Sequence, residues 1–192
     1  MNDRRRTFDD LYASSIDPWK FRTSSYEKGK YLATMRALPE PRYYTAVEAG
    51  CSIGELSRLL ATRCDVFYGV DVSGIAIAEA RVRNSDQFNM KFSVAELPGG
   101  WPEVKADLIV LSEFLYFLSK DEIYNLAMVI VQNWKPAGDC VVVSFLGTIS
   151  GGLLQGAESA EHLIDALGAR TRARTVLKNA YDGYRIDVVR NC

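Results

Sequence analysis

The sequence holds a single histidine, His162, and four cysteines, no two of them in a Cys-x-x-Cys pair. Zinc and related sites need such ligands clustered, so no metal is expected. Three of the four cysteines fall in apolar surroundings and read as reduced core thiols, the habit of a cytoplasmic protein. No apolar run approaches the ~18 residues of a membrane span. The basic start Arg4-Arg5-Arg6 is not followed by the apolar stretch of a signal peptide. Formal net charge is only −1, which leaves no basic excess for nucleic acid or an anionic membrane. Repeats and low-complexity segments are absent as well.

What is there suffices for one folded unit over residues 1–192, with 48% of the residues apolar. An N-terminal helical arm (1–40) precedes a core (45–192). In the core, strand candidates at Thr45–Ala49, Val66–Val70, Met90–Val94, Asp107–Leu111 and Cys140–Phe145 alternate with helix candidates at Glu55–Thr62, Gly74–Arg83 and Asp121–Trp134. The last of these is clearest: Ile123, Leu126, Ala127, Ile130, Val131 and Trp134 recur at helical spacing. Ser119 and Glu122 form a capping-box pattern before it, and Pro136 and Gly138 stop it. Such alternation predicts a parallel sheet with helices on both faces. A further helix is expected at Ala157–Leu167. Then Thr171–Leu177 and Tyr184–Val189 are joined by Lys178–Gly183, too short for a crossover helix, so they should pair as an antiparallel hairpin. The expected fold is α/β: a Rossmann-like three-layer sandwich of the class I methyltransferase arrangement, its seven-stranded, mostly parallel sheet carrying one antiparallel strand.

The stretch Ala46-Val-Glu-Ala-Gly-Cys-Ser-Ile-Gly54 is the most telling. Glu48 ends an apolar run, and Gly50, Cys51, Ser52 and Gly54 form the loop before a helix. In open parallel sheets, ligands bind beyond the carboxyl ends of the strands. The glycines let backbone approach a ligand, and the helix start offers free N–H groups. The spacing is not the dinucleotide fingerprint, and a carboxylate at Glu48 would repel a pyrophosphate. It suits a cofactor with an ammonium group. Asp71, with Val72 behind it, ends the next apolar run, where a carboxylate can accept two hydrogen bonds from ribose hydroxyls. The pattern therefore points to S-adenosylmethionine, with S-adenosylhomocysteine as product, and away from a nicotinamide cofactor. The plainer alternatives are an ordinary strand–helix turn at Glu48 and a helix cap at Asp71, although Ser73 is better placed for that cap.

Other candidates surround this pair. Ala95, Glu96 and Leu97 follow the third strand, where Glu96 could meet the adenine amine or stand as a solvated loop acid. Ser112 and Glu113 open the loop after the fourth strand, and Tyr116 and Phe117 supply aromatic walls. Glu113 is an acid inside an apolar run and needs a partner. Glu113 or Tyr116 could take or hold the proton of an amine acceptor. In the arm, Trp19 and Tyr26 offer area for a lid and Arg22 could grip a carboxylate; the arm could equally be a packing element. His162 reads as a helix-boundary histidine without a chemical role.

The segments Asp17-Pro-Trp-Lys-Phe-Arg-Thr-Ser-Ser-Tyr-Glu-Lys-Gly-Lys-Tyr31, Glu48–Gly54, Ala61–Asp65 and Leu111–Leu118 resemble the nodulation protein S family. That resemblance implies an S-adenosylmethionine-dependent N-methyltransferase acting on a small-molecule amine, the founding acceptor being a chitooligosaccharide, with the arm folded over the cofactor. One stretch departs. Where the family carries arginine, aspartate and histidine, this chain has Leu146-Gly-Thr-Ile-Ser-Gly-Gly-Leu-Leu-Gln155, whose Gly151-Gly152 suggests a mobile flap. A smaller or less polar acceptor is expected. Methylation of another acceptor such as a hydroxyl, or cofactor binding without chemistry, are the competing functions. The sequence does not specify an oligomeric state.

Overall fold

Asp17-Pro18 divides the arm into two helices, because the residue before a proline avoids the helical region. The computed structural model describes residues 3–192. Helices α1 (Asp3–Ser14) and α2 (Ser25–Ala37) form the arm. The core follows as β1 (Tyr43–Ala49), α3 (Glu55–Ala61), β2 (Cys64–Asp71), α4 (Gly74–Arg83), β3 (Met90–Val94), β4 (Ala106–Ser112), α5 (Lys120–Asn133), β5 (Trp134–Phe145), α6 (Gly156–Gly168), β6 (Arg174–Ala180) and β7 (Tyr184–Arg190). No helix among the described residues is long and apolar enough to cross a membrane.

The seven strands form one sheet in the order β3-β2-β1-β4-β5-β7-β6. Strands β1 to β5 run parallel, and β7 runs against both β5 and β6. From β1 the chain winds outward to β3, then returns to β4 on the other side of β1. The crevice at the carboxyl ends of β1 and β4 is therefore the switch point where such sheets take ligands. Alternate residues of β4 feed opposite cores. Leu108 and Val110 join Leu60, Phe67 and Ile77 on the arm side, while Ile109 and Leu111 join Ile123, Leu126, Ile130 and Leu163 on the other. The expected caps form. Ser119 and Glu122 make a reciprocal capping box on α5, and the Ser73 hydroxyl caps α4.

Among the boundaries that differ from expectation, two have a visible cause. Trp134 opens β5 rather than closing α5, pairing with Ala106 before a register shift that lets extra residues of β5 bulge outward. Ala137 takes a left-handed φ of 57° there. The polar, proline-containing start of β5 hid its strand character. Strand β6 begins at Arg174, not Thr171, because the Thr171 amide and hydroxyl both donate to Leu167 O at the end of α6.

Candidate active site

The carboxyl ends of β1, β2 and β4, together with the arm, enclose a cavity of about 480 Å³. Its floor is the loop after β1. Gly50 stands at φ 75° and its amide donates to Val70 O at 2.8 Å. A Cβ there would lie 3.0 Å from the Phe114 side chain, so glycine is needed for conformation and space alike. Cys51 and Ser52 continue the floor.

Glu48 lines this cavity and is 2% exposed. The Ser57 hydroxyl donates to its Oε2, and no cation stands beside it among the described residues. Burial pushes its pKa up to about 8 despite that hydrogen bond. Asp71 lines the same cavity. Its Oδ2 accepts from the Ser52 amide and its Oδ1 from the Ser73 amide, both at 2.9 Å. Burial raises its pKa too, and these amides work against that rise. With the Val72 amide as a further donor, the carboxylate still keeps acceptor capacity for a ligand hydroxyl. Val72, Ala95, Glu96, Leu97 and Ser112 complete this end of the wall, and Arg4 reaches Glu96 at 3.5 Å.

Three sequence candidates have other positions or partners. Arg22 does not line the cavity. Its guanidinium pairs with Glu79 on α4 and lies 3.7 Å from Glu55 on α3, so it pins the arm to the core. Gly54 also lies outside the cavity wall. It caps α3 at φ 81°, and a Cβ would come within 2.6 Å of Asn84 Nδ2, so it sets the approach of α3 to α4. Tyr116 lines the cavity, but its hydroxyl donates to Glu113 Oε2 at 3.1 Å, and burial, then Glu113, drives its pKa upward.

Glu113 already has partners on both oxygens. It sits at a left-handed φ of 59°. Its Oε1 accepts from Lys30 Nζ at 2.7 Å, and its Oε2 accepts from the Phe145 amide at 2.8 Å as well as from Tyr116. His162 lies on α6 outside the cavity, 3.5 Å from Glu158. The flap supplies Thr148, Ile149 and Ser150 to the cavity. Just after its glycines, the Leu153 amide donates to Tyr116 O at 2.8 Å.

The arm gives more than expected. Trp19 and Tyr26 line the cavity, and so do Phe8, Tyr12, Glu27 and Lys30. The Tyr12 hydroxyl bonds the Ser52 hydroxyl directly above the loop. Trp19 packs edge-on to Tyr12 and stacks on Phe21. Phe8 and Tyr12 follow a run of charged residues, which masked the helix that presents them. Arg4 donates to both Glu122 oxygens at 2.9 Å, tying the start of α1 to α5.

The fold recurs in solved structures. One is N-methyltransferase NodS from Bradyrhizobium japonicum WM9 in complex with S-adenosyl-L-homocysteine, with a TM-score of 0.81, 20% identity, and coverage of 98% of this chain and 99% of that one. Another is a putative methyltransferase from Pseudomonas syringae, with a TM-score of 0.73, 28% identity, and coverage of 88% and 100%. Nodulation protein S of Bradyrhizobium diazoefficiens is 30% identical over 103 residues, 53% of this chain and 49% of the relative. That of Sinorhizobium fredii is also 30% identical, with 53% and 48% covered. The chain thus spans about half the length of the curated relatives it matches. The family model of nodulation protein S (NodS) matches residues 7–177. A match over that much of the chain, on a shared class I methyltransferase fold, means that the chain belongs to the nodulation protein S family.

Proposed function

We propose that residues 1–192 form one S-adenosylmethionine-dependent methyltransferase unit that methylates an amine of a small molecule, of the amino-sugar or natural-product kind. The observation that carries this reading is the pair of acids, buried Glu48 and half-buried Asp71, in one cavity at the switch point. The residues fit the cofactor. Glu48 is a carboxyl buried without a cation among the described residues, so an ammonium group would relieve the cost of its ionisation. Asp71 has acceptor capacity left for ribose hydroxyls. Gly50, Cys51 and Ser52 would lie along the methionine end, and Ala95, Glu96 and Leu97 along the adenine. When bound, the cofactor supplies a methyl group activated by a sulfonium. Trp19, Tyr12 and Phe117 would pack around this space, and the walls would align the acceptor. Such alignment can contribute ~7–11 kcal/mol. The acceptor would enter between the Ser112–Phe117 loop and the Leu146–Gln155 flap. The flap's uncharged Thr148, Ile149 and Ser150 favour a small acceptor of modest polarity.

The test has two parts. S-adenosylhomocysteine at 100 times its dissociation constant should stabilise the protein by ~2.7 kcal/mol, and NAD should not. In a folded Asp71→Ala variant, loss of the charge-assisted ribose contact should cost ~1.5–3 kcal/mol, so binding weakens roughly tenfold or more. Unchanged affinity by calorimetry would reject the assignment of Asp71.

A further inference from the structure

At the acceptor end of the cavity a second group of charges forms, two strands away from Asp71. Lys30 is 3% exposed and Glu27 is 8% exposed. Both lie on α2, and Glu113 approaches from beyond β4. The group holds two carboxylates and one ammonium, so it lacks one cation. Hydrogen-bond accounting shows where. Glu113 accepts from Lys30, Tyr116 and the Phe145 amide, on both of its oxygens. Glu27 accepts only on Oε1, from Lys30 Nζ at 3.1 Å. Its Oε2 lies equally near that ammonium but out of line with it, and is a buried oxygen with no hydrogen bond. The one oxygen of the two carboxylates without a hydrogen bond is therefore Glu27 Oε2, buried on a residue that lines the cavity.

From this geometry we infer that Glu27 is the catalytic carboxylate that receives the acceptor's ammonium and takes its proton, while Lys30 and Glu113 hold it in place. The inference rests on the amine reading above. In the step, an N–H bond of R–NH3+ breaks, an O–H bond forms at Glu27, and the electron pair stays on nitrogen, which becomes the nucleophile. The charge count agrees, since the arriving cation supplies the one that the group lacks. The groups facing Glu27 are Lys30, Tyr26 and Tyr31 from α2, Glu113 and Tyr116 from beyond β4, and Asp17 from the arm. Burial, aided by Glu113 and Asp17 and opposed by Lys30, lifts the proton affinity of Glu27 above that of an ordinary carboxylate. That moves it toward the range useful for a base. Lys30 is unsuited to the task, because its two carboxylate partners hold its proton.

The test uses the full chain with S-adenosylmethionine and three probes: glucosamine, 2-aminoethanol and glucose. Release of S-adenosylhomocysteine is followed across pH. Glu27→Gln should lower kcat/KM on whichever amine is used by about 100-fold and abolish the acid limb of the pH profile. Cofactor affinity and thermal midpoint should stay near wild type. Glu27→Asp, which keeps the charge, should recover part of the rate and shift that limb. It supplies the same reading if the glutamine variant does not fold. Wild-type rates and an unchanged profile in folded Glu27→Gln would overturn the role of Glu27 and leave the amine reading standing. Methylation of glucose with none of either amine would instead defeat the amine reading, and this inference with it.

Discussion

Helices α2 and α5 begin with the same sequence pattern, Ser-x-x-Glu, yet the two glutamates do opposite things. At α5, Glu122 Oε2 accepts from the Ser119 amide at 2.8 Å while the Ser119 hydroxyl accepts from the Glu122 amide. At α2, the Ser24 hydroxyl accepts from the Glu27 amide, but the Ser24 amide already donates to Lys20 O at 2.9 Å. With that donor taken, Glu27 has nothing to cap and its side chain turns to Lys30 in the cavity wall. A capping pattern therefore fixes where a helix starts. Whether its acid stays local depends on whether the N-cap amide is still free.

The largest effect expected from this contrast lies at Lys30. Lys30→Met leaves Glu27 and Glu113 buried without their cation, and breaking such a pair costs ~3–5 kcal/mol. Denaturant unfolding should show it. At the other helix, Arg4→Ala removes a half-exposed partner of Glu122 and should cost under ~1 kcal/mol. Equal losses at the two helices would erase the distinction. Next in size come the caps. Ser119→Ala should cost ~1 kcal/mol. In a double-mutant cycle, Ser119→Ala and Glu122→Ala should couple by ~0.5 kcal/mol or more, whereas Ser24→Ala and Glu27→Ala should add to within ~0.3–0.5 kcal/mol.

The smallest effect is the pH dependence, and its sign differs between the two acids. For Glu122, burial favours the neutral form, but the Ser119 amide and Arg4 outweigh it and hold the pKa below the ordinary value of 4.5. Its contribution is present above that value and is lost as pH falls through the lowered pKa. Glu27 is raised above 4.5, chiefly by burial. Its contribution is present below 4.5 and is lost as pH rises through the raised pKa. Unfolding midpoints on either side of 4.5 should thus show Glu122→Gln removing a gain with rising pH and Glu27→Gln removing a loss. The same sign in both variants would contradict the difference.

Much of this was legible in the chain because it depends on local pattern. Glu48 and Asp71 end apolar runs, and parallel topology alone brings such ends to one crevice. The capping box at Ser119 and the hairpin turn at Asp182-Gly183 are equally local. What escaped depends on partners distant in the chain. Arg22 pairs with Glu79, 57 residues away, and nothing near Arg22 announces that. Glu113 shows as an acid in need of a partner, but Lys30 lies 83 residues upstream, so the partners of Glu113 and the unsatisfied oxygen of Glu27 stay hidden. Strand β6 escaped in part for another reason: nearly all of its residues are exposed, so no alternation marks where it starts.

Strand β7 is the one strand that runs against its neighbours, pairing Tyr184 with Phe145 at the carboxyl end of β5. Its reversal brings the hairpin turn to the ligand-binding edge of the sheet, where Tyr184 packs edge-on to Tyr26 and stacks with Tyr181. The Gly183 carbonyl also accepts from the Leu146 amide at the base of the flap. A parallel strand in that position would place this turn at the opposite edge. The reversal thus sets the turn and the flap on chain segments separate from the loops after β1 and β2, so the turn and the flap can change in length or sequence without disturbing Glu48 or Asp71.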